Sequence, residues 1–263
     1  MNSEQQTPII AMDNKPETRN QKPGALAVII LAAGKGTRMK SDLPKVLHPL
    51  RGKPLVQRVI NTARKLNPAE IALVVGYRAK MVKDAIGDSV LYAKQTEQLG
   101  TGHAVTQAET ALKGHRGDAL VLYGDMPLLT ERSLGQLVEM QAENSGPITM
   151  LTVIADNPRG FGRIVRDEQN QVIAIVEEAV CSPEQLAIKE LNVGVYCFQT
   201  DWLWNNLPNI KASPKGEYYL TDLVEIAVQQ GRKVRAVTSA DLLETMGINT
   251  LEHLAEAEAA LED

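Results

Sequence analysis

The stretch from residue 26 to residue 39 constrains this chain more than any other. Residues 26–33 are an unbroken apolar run that leads directly into Gly34-Lys35-Gly36-Thr37-Arg38-Met39, with Pro44-Lys45 shortly beyond. A strand without alternating polar positions must be covered on both faces, as in a parallel sheet wrapped by helices. The loop that follows combines two glycines, which allow close backbone approach, with three cations, Lys35, Arg38 and Lys45. Small residues and positive charge at the end of a buried strand suit the phosphates of a nucleoside triphosphate. The pattern differs from a Walker loop, because no Gly-Lys-Ser/Thr follows a first glycine at the required distance. It also differs from the dinucleotide fingerprint, because Met39 stands where a third glycine is needed.

The same alternation continues along the chain. Apolar periodicity predicts helices over 55–66, 79–86, 102–112 and 131–144, and strands over 70–75, 90–93 and 118–123. Ligands of parallel sheets sit beyond the carboxyl ends of strands, so Gly124-Asp125 is expected on the same edge as the first loop. Past residue 146 the strands shorten, to 148–154, 162–166, 172–176 and 191–198, with a hairpin turn over 167–171. A helix over 220–230, a strand over 233–238 and an amphipathic helix over 249–261 complete the pattern. The expected architecture is α/β: a Rossmann-like, mostly parallel sheet flanked by helices, with a smaller lobe of mixed strands. The corresponding division is a nucleotide half over 25–146, a second-substrate lobe over 147–248 and a helical segment over 249–263. Residues 1–24, polar and proline-containing, read as a disordered tail.

Composition narrows the partners. Of 263 residues, 44% are hydrophobic and 23% charged, and the formal net charge is -4. No basic stripe interleaved with aromatics is present, which argues against nucleic acid. Cys181 and Cys197 are too few for a disulfide framework and lack metal-ligand spacing. They read as free thiols of a reducing compartment, and the expected location is the cytoplasm. Residues 1–24 lack the apolar core of a secretory signal, and no run reaches the length of a membrane span.

Several residues carry candidate chemistry. Asp125 ends a buried strand, and Pro127 stops further pairing. A carboxylate there, facing a cationic loop, can hold Mg²⁺, which uses few protein ligands and shares phosphate oxygens. Gly124 before it is expected to leave room for a ribose or phosphate. The run from Gln95 to Ala104 contains a side-chain amide, Gly100, Thr101 and His103. Such an amide can accept from uracil N3–H and donate to O4, or flip to suit cytosine, so Gln95 alone does not choose the base. Thr101 reads as a helix N-cap and His103 as a packing residue of the helix face. Gly160-Phe161-Gly162-Arg163, Glu177, Asn192 and the run from Glu217 to Asp222 supply small and hydrogen-bonding groups from strand ends, and Glu and Asn side chains suit sugar hydroxyls and an amide substituent. No Ser-His-Asp, Cys-His or zinc constellation is recognisable, and nucleotidyl transfer to an ionised sugar phosphate requires none.

Taken in order, the segments LAAGKGTRM, LPKVLH, EQLGTGHA, LYGDMPL, GFGRIVRD, IVEE, ELNVGV, GEYYLTDL and GIN resemble one family. It is the uridyltransferase domain of the bacterial bifunctional N-acetylglucosamine-1-phosphate uridyltransferase/glucosamine-1-phosphate acetyltransferase. The resemblance implies that UTP and N-acetylglucosamine 1-phosphate yield UDP-N-acetylglucosamine and pyrophosphate. It implies that Leu31, Ala32, Ala33 and Gly34 line the nucleotide, that Lys45 contacts phosphate, and that Gln95, Gly100 and Thr101 read uracil. Tyr123 and Gly124 would flank the ribose, while Asp125 and Asn249 would hold Mg²⁺. Gly162, Glu177 and Asn192, with Tyr219 and Thr221 by weaker analogy, would contact the amino sugar, and Arg38 would offset charge on the leaving group.

Three departures stand out: Glu178-Ala179-Val180-Cys181 replaces a His-Lys-Asp-Ala run, Val193 replaces Thr, and Thr250 replaces Asn-Arg. The family's second half, a β-helix of hexapeptide repeats, has no counterpart before Asp263, so acetyl transfer is not expected. A monomer or small homo-oligomer is expected. The competing readings are another sugar 1-phosphate, a cytidylyltransferase, or a regulatory protein that binds a nucleotide sugar without turnover.

Overall fold

A computed structural model of the chain describes residues 25–261; the expected tail over 1–24 and the last two residues of the 249–263 segment lie outside them. The first half contains β1 (Ala25–Ala32), β2 (Pro49–Leu50), β3 (Lys53–Pro54), α1 (Leu55–Lys65), β4 (Glu70–Val75) and α2 (Ala79–Ile86). Next come β5 (Leu91–Lys94), α3 (Thr101–Thr106), β6 (Gly117–Tyr123), α4 (Glu131–Glu143) and β7 (Ile148–Ile154). The remainder is β8 (Arg163–Arg166), β9 (Val172–Val176), α5 (Pro183–Leu186), β10 (Glu190–Gln199), α6 (Thr200–Asn206), α7 (Asp222–Gln229), β11 (Val234–Ser239) and α8 (Leu251–Ala260). Among the described residues no helix is long and apolar enough to cross a membrane.

The apolar runs form the sheet for the reason the sequence suggests. In β1, Val28, Ile30 and Ala32 pack on one face with Val56, Val59 and Ile60 of α1 and Leu134 and Leu137 of α4. Ala27, Ile29 and Leu31 point the other way, into the cluster holding Val105, Leu203, Leu223 and Val224. A period of two thus divides one apolar strand between two cores, and burial on both faces leaves no place for a polar residue. Helix α1 answers with a stripe of Leu55, Val56, Val59, Ile60 and Ala63, the spacing of a helix that covers a sheet.

The main sheet runs β11-β7-β10-β6-β1-β4-β5, with the β8–β9 hairpin attached through β10. Strands β6, β1, β4 and β5 are parallel to one another, and β11 is parallel to β7; β10 runs against both β6 and β7. From β1 the chain moves out to β4 and β5, then returns to the opposite side of β1 as β6. That reversal opens a crevice outside the carboxyl ends of β1 and β6, where Leu31 pairs with Tyr123. The mixed strands beyond residue 147 are continuous with the parallel part, because β10 pairs directly with β6.

Two local differences from the sequence reading have clear causes. The helix expected over 102–112 stops at Thr106 and continues as tight turns in which Ala108 N–H bonds the Val105 carbonyl and Glu109 N–H that of Thr106. Ala104, Val105, Ala108 and Leu112 remain buried, so the apolar spacing is satisfied without a full helix. Helices α5 and α6, unforeseen from the sequence, are short; the Ser182 hydroxyl and Gln185 side chain close a capping box around α5.

The junction between α4 and β7 is tightly determined. Thr149 Oγ1 donates to Gln141 Oε1 at 2.7 Å, and Asn144 Nδ2 donates to the Ile148 carbonyl at 2.8 Å, all fully or nearly buried. Within this turn a Cβ on Gly146 would overlap the Lys233 carbonyl oxygen and the atoms around it. Backbone cannot yield as a flexible side chain does, so Gly146→Ala is expected to destabilise the protein by about 3 kcal/mol. Urea denaturation checks this, with a lowered midpoint at unchanged slope as the expected result.

Candidate functional site

The site is built where three loops meet at the carboxyl edge. The loop after β1 turns at Gly36, whose φ of 63° favours glycine and whose missing side chain lets it lie against the stem of Lys45. Met39, almost fully buried, anchors the loop to the core. Asp125 follows β6, and its carbonyl accepts from the N–H of Ile248 at 2.8 Å, which places Asn249 beside it. Ile248 is itself packed with Leu50, Leu55, Met246 and Ala257, so α8 and the segment before it are tied to the start of α1.

At the centre the Lys45 ammonium forms an ion pair with Asp125 Oδ2 and donates to Asn249 Oδ1 at 2.8 Å. Arg38 donates to the same Asn249 oxygen at 2.8 Å. Two hard oxygen ligands therefore converge on one point of positive charge.

Two cavities adjoin this centre. The first, about 270 Å³, has Leu31, Ala32, Ala33 and Gly34 along the end of β1, and also exposes Gln95, Gly100, Thr101 and Tyr123. The second, about 390 Å³, is lined by Gly162, Glu177, Asn192, Tyr219 and Thr221 together with Arg38 and Asn249. Lys45, Thr101, Tyr123 and Asp125 line both. Apart from Lys45, Thr101 and Tyr123, which the two share, the nucleotide and sugar groups expected from the sequence sort into separate cavities, and Gly124 lines neither. A Cβ at Gly124 would meet the Leu31 carbonyl and the Val46 and Val56 side chains, so the missing side chain here serves packing against the core.

Segment 216–221 reaches the site through the loop before α3. Gly100, with φ 97°, carries no side chain because one would strike the Tyr218 backbone. Tyr218 N–H donates to the Leu99 carbonyl and Gly102 N–H to the Tyr218 carbonyl, both at 2.8 Å. Thr101 is not the cap of α3; Gly100 holds that position. The Thr101 hydroxyl instead accepts from Leu220 N–H at 2.9 Å and bonds the hydroxyl of partly buried Tyr123, whose pKa burial pushes up.

On the other wall, β10 breaks register between Asn192 and Tyr196. The irregularity turns Asn192, Val193 and Gly194 toward the second cavity. Asn192 Oδ1 accepts from Gly194 N–H at 3.1 Å and from the Tyr196 hydroxyl at 2.9 Å, which leaves its amide hydrogens for a ligand. Gly194 and Tyr196 were not singled out from the sequence, although the ELNVGV segment contains the glycine. Glu177 accepts from the Thr221 hydroxyl at 3.4 Å, and burial raises its pKa against that bond. The cavity therefore offers an amide donor on one side and a partly desolvated carboxylate acceptor on the other.

A buried carboxylate-lined crevice at the switch point of a parallel sheet, fed by a cationic glycine loop, defines an α/β protein that handles phosphorylated nucleotides. The chain belongs to the nucleotidyl transferase family, whose model matches residues 27–257. It is 46% identical over 234 residues to the bifunctional protein GlmU of Exiguobacterium sibiricum, covering 89% of this chain and 52% of that protein. It is 47% identical over 237 residues to the bifunctional protein GlmU of Clostridium novyi, again with 89% and 52% coverage. The chain spans about half the length of these curated relatives. A crystal structure of UDP-glucose pyrophosphorylase complexed with UDP-glucose shares the fold, with a TM-score of 0.73 at 20% identity over 90% of this chain and 98% of that one.

Asp222, at the start of α7 behind Glu177, is pushed up to about 6, by burial first and then by the carboxylates of Glu225 and Glu177. A carboxyl with a folded pKa above its unfolded value of 3.8 binds its proton better in the folded state. Its contribution is therefore lost as pH rises from the lower value through the higher. Asp222→Asn is expected to raise the thermal midpoint relative to the unaltered protein above about pH 7 and to leave it unchanged below about pH 4. Melting curves at the two ends of that range check the sign.

Proposed function

We propose that this chain transfers a uridylyl group from UTP to N-acetylglucosamine 1-phosphate, forming UDP-N-acetylglucosamine and pyrophosphate. The observation that carries the reading is the junction of the two cavities at Lys45, Thr101, Tyr123 and Asp125. A triphosphate entering from the first and a sugar phosphate from the second would meet there. The motif series described above and the GlmU relatives support the choice of substrates.

In this reaction an oxygen of the sugar phosphate attacks the α-phosphorus of UTP. The new P–O bond forms as the bond to the β-phosphate's bridging oxygen breaks, and pyrophosphate leaves with that electron pair. The nucleophile is already ionised, so no general base is required, and the protein has to align the groups and neutralise charge. Gly34 and the backbone around it admit the phosphates closely, Lys45 and Arg38 face the developing charge, and Gln95 holds the base. Asn192 and Glu177 orient the sugar by donating and accepting hydrogen bonds.

A carboxylate and an amide oxygen converging where a cation's charge already sits fit Mg²⁺, which completes its shell with water and phosphate oxygens. Asp125 and Asn249 would hold it, and when bound it would supply charge neutralisation at the phosphates.

A second reading, another sugar 1-phosphate, draws on Glu178, which pairs with buried Arg163 at 3.0 Å where the resembled family carries the His-Lys-Asp-Ala run. Pyrophosphate release with UTP or CTP against a panel of sugar 1-phosphates separates the two. N-acetylglucosamine 1-phosphate with UTP is the expected best pair, and a clear preference for a different sugar or for CTP overturns the proposal.

Asp125→Ala is expected to lower turnover by roughly 10²-fold, and chelation of divalent metal to abolish it in the unaltered protein. Activity that survives both would remove the metal assignment. Asn192→Ala is expected to raise KM for the sugar phosphate roughly tenfold while KM for UTP holds, because an unmet polar partner is left in a closed pocket. Steady-state kinetics with each substrate varied in turn read the difference.

A further inference from the structure

Gln95 is only 3% exposed. Its Nε2 lies 3.1 Å from the Gly100 carbonyl oxygen and 3.1 Å from Nδ1 of His103. A carbonyl oxygen only accepts, so the amide atom facing it must be the NH₂ group. That group only donates, so Nδ1 of His103 must present a lone pair and the ring must carry its proton on Nε2. Both amide hydrogens are then committed inside the protein, and Oε1 is the part of the amide left for a ligand in the first cavity.

We infer that His103 is a positioning residue that fixes the orientation of the Gln95 amide and so sets the base preference of the nucleotide cavity. The inference rests on the reading of that cavity given under Proposed function. An acceptor held in place favours a base that offers a ring N–H, such as N3–H of uracil. It disfavours cytosine, whose N3 is a lone pair. Rotating the amide to suit cytosine would set Oε1 against the Gly100 carbonyl and would require the His103 ring to move its proton from Nε2 to Nδ1. The sequence alone left the amide free to flip; the Gly100 carbonyl, with His103 held in its Nε2-protonated tautomer, opposes that rotation. His103 reaches this position because Gly100 turns the chain into α3, which brings the third residue of the helix back over Gln95.

The test is the ratio of kcat/KM for UTP to that for CTP with the sugar phosphate held fixed. In His103→Phe, which keeps a ring but removes the acceptor, the ratio is expected to fall roughly tenfold with kcat for UTP little changed. In His103→Asn, whose Oδ1 reaches close to the place of Nδ1, most of the ratio is expected to return. A ratio unmoved by His103→Phe, or no recovery in His103→Asn, overturns the inference. Nitrogen NMR of the histidine rings in the unaltered protein gives a second readout that does not depend on a variant folding. The Nε2-protonated tautomer of His103 is expected, and the Nδ1-protonated form overturns the lock. If the unaltered protein turns over neither nucleotide, the proposed function fails instead, and calorimetric binding of UTP and CTP to the same variants reads the same ratio.

Discussion

The ammonium of Lys45 between Asp125 and Asn249 is the interaction on which the site depends. Asp125 is largely withdrawn from water, and a carboxylate in that position is costly unless it is paired. Lys45 supplies the pair and, through Asn249, ties the segment before α8 into the same centre. Three loops that are far apart in sequence thus meet at one cation, with the Arg38–Asn249 and Ile248–Asp125 bonds beside it. An incoming polyphosphate offers Lys45 and Arg38 further anionic partners, so the charge that organises the protein alone is also the charge its substrate would use.

The opposite wall is organised by backbone rather than charge. Tyr218 donates its N–H to Leu99 in the loop before α3 and accepts at its carbonyl from Gly102 in the first turn of α3, and the Thr101 hydroxyl reaches Leu220. These bonds carry Tyr219 and Thr221 to the edge of the second cavity, while the register break in β10 turns Asn192 to face them. Glu177 sits between, with its carboxyl partly dried by burial. Removing water from such groups strengthens any hydrogen bond they make to a ligand and raises the penalty for a ligand that cannot make it.

Support for the centre extends well behind it. Glu244, nearly fully buried, accepts from the Thr130 N–H, the Thr130 hydroxyl and the hydroxyls of Ser133 and Ser239. Its negative charge lies at the N-terminus of α4, where the helix dipole favours it. The same contacts clamp the stretch after β11 that leads to Ile248 and Asn249. A buried acid that lines neither cavity thereby helps decide where Asn249 stands.

Much of this protein is written into local sequence patterns. The strands Glu70–Val75, Ile148–Ile154 and Val172–Val176 and the helix Ala79–Ile86 have the bounds that apolar spacing predicts, because burial on one or two faces imposes a period that any reader of the chain can count. The cationic glycine loop and Asp125 are legible for a related reason: charge and glycine are unusual at the end of a buried strand. What the residues around Gln95, Gly124 and Thr101 do could not be counted in this way. The orientation of the amide depends on Gly100 and His103, the space behind Gly124 is filled by Val46 and Val56, and the hydroxyl of Thr101 serves a segment 119 residues away. Likewise, the antiparallel course of β10 and its break at Asn192 follow from pairing with β6 and β7, which are distant in sequence. Sequence by itself determined the layers, the strand ends and the chemistry available at them, since these follow from periodicity and residue type. Only the tertiary structure decided which hydrogen bonds are already taken, and so which atoms remain for a ligand, because that depends on partners no local pattern can specify.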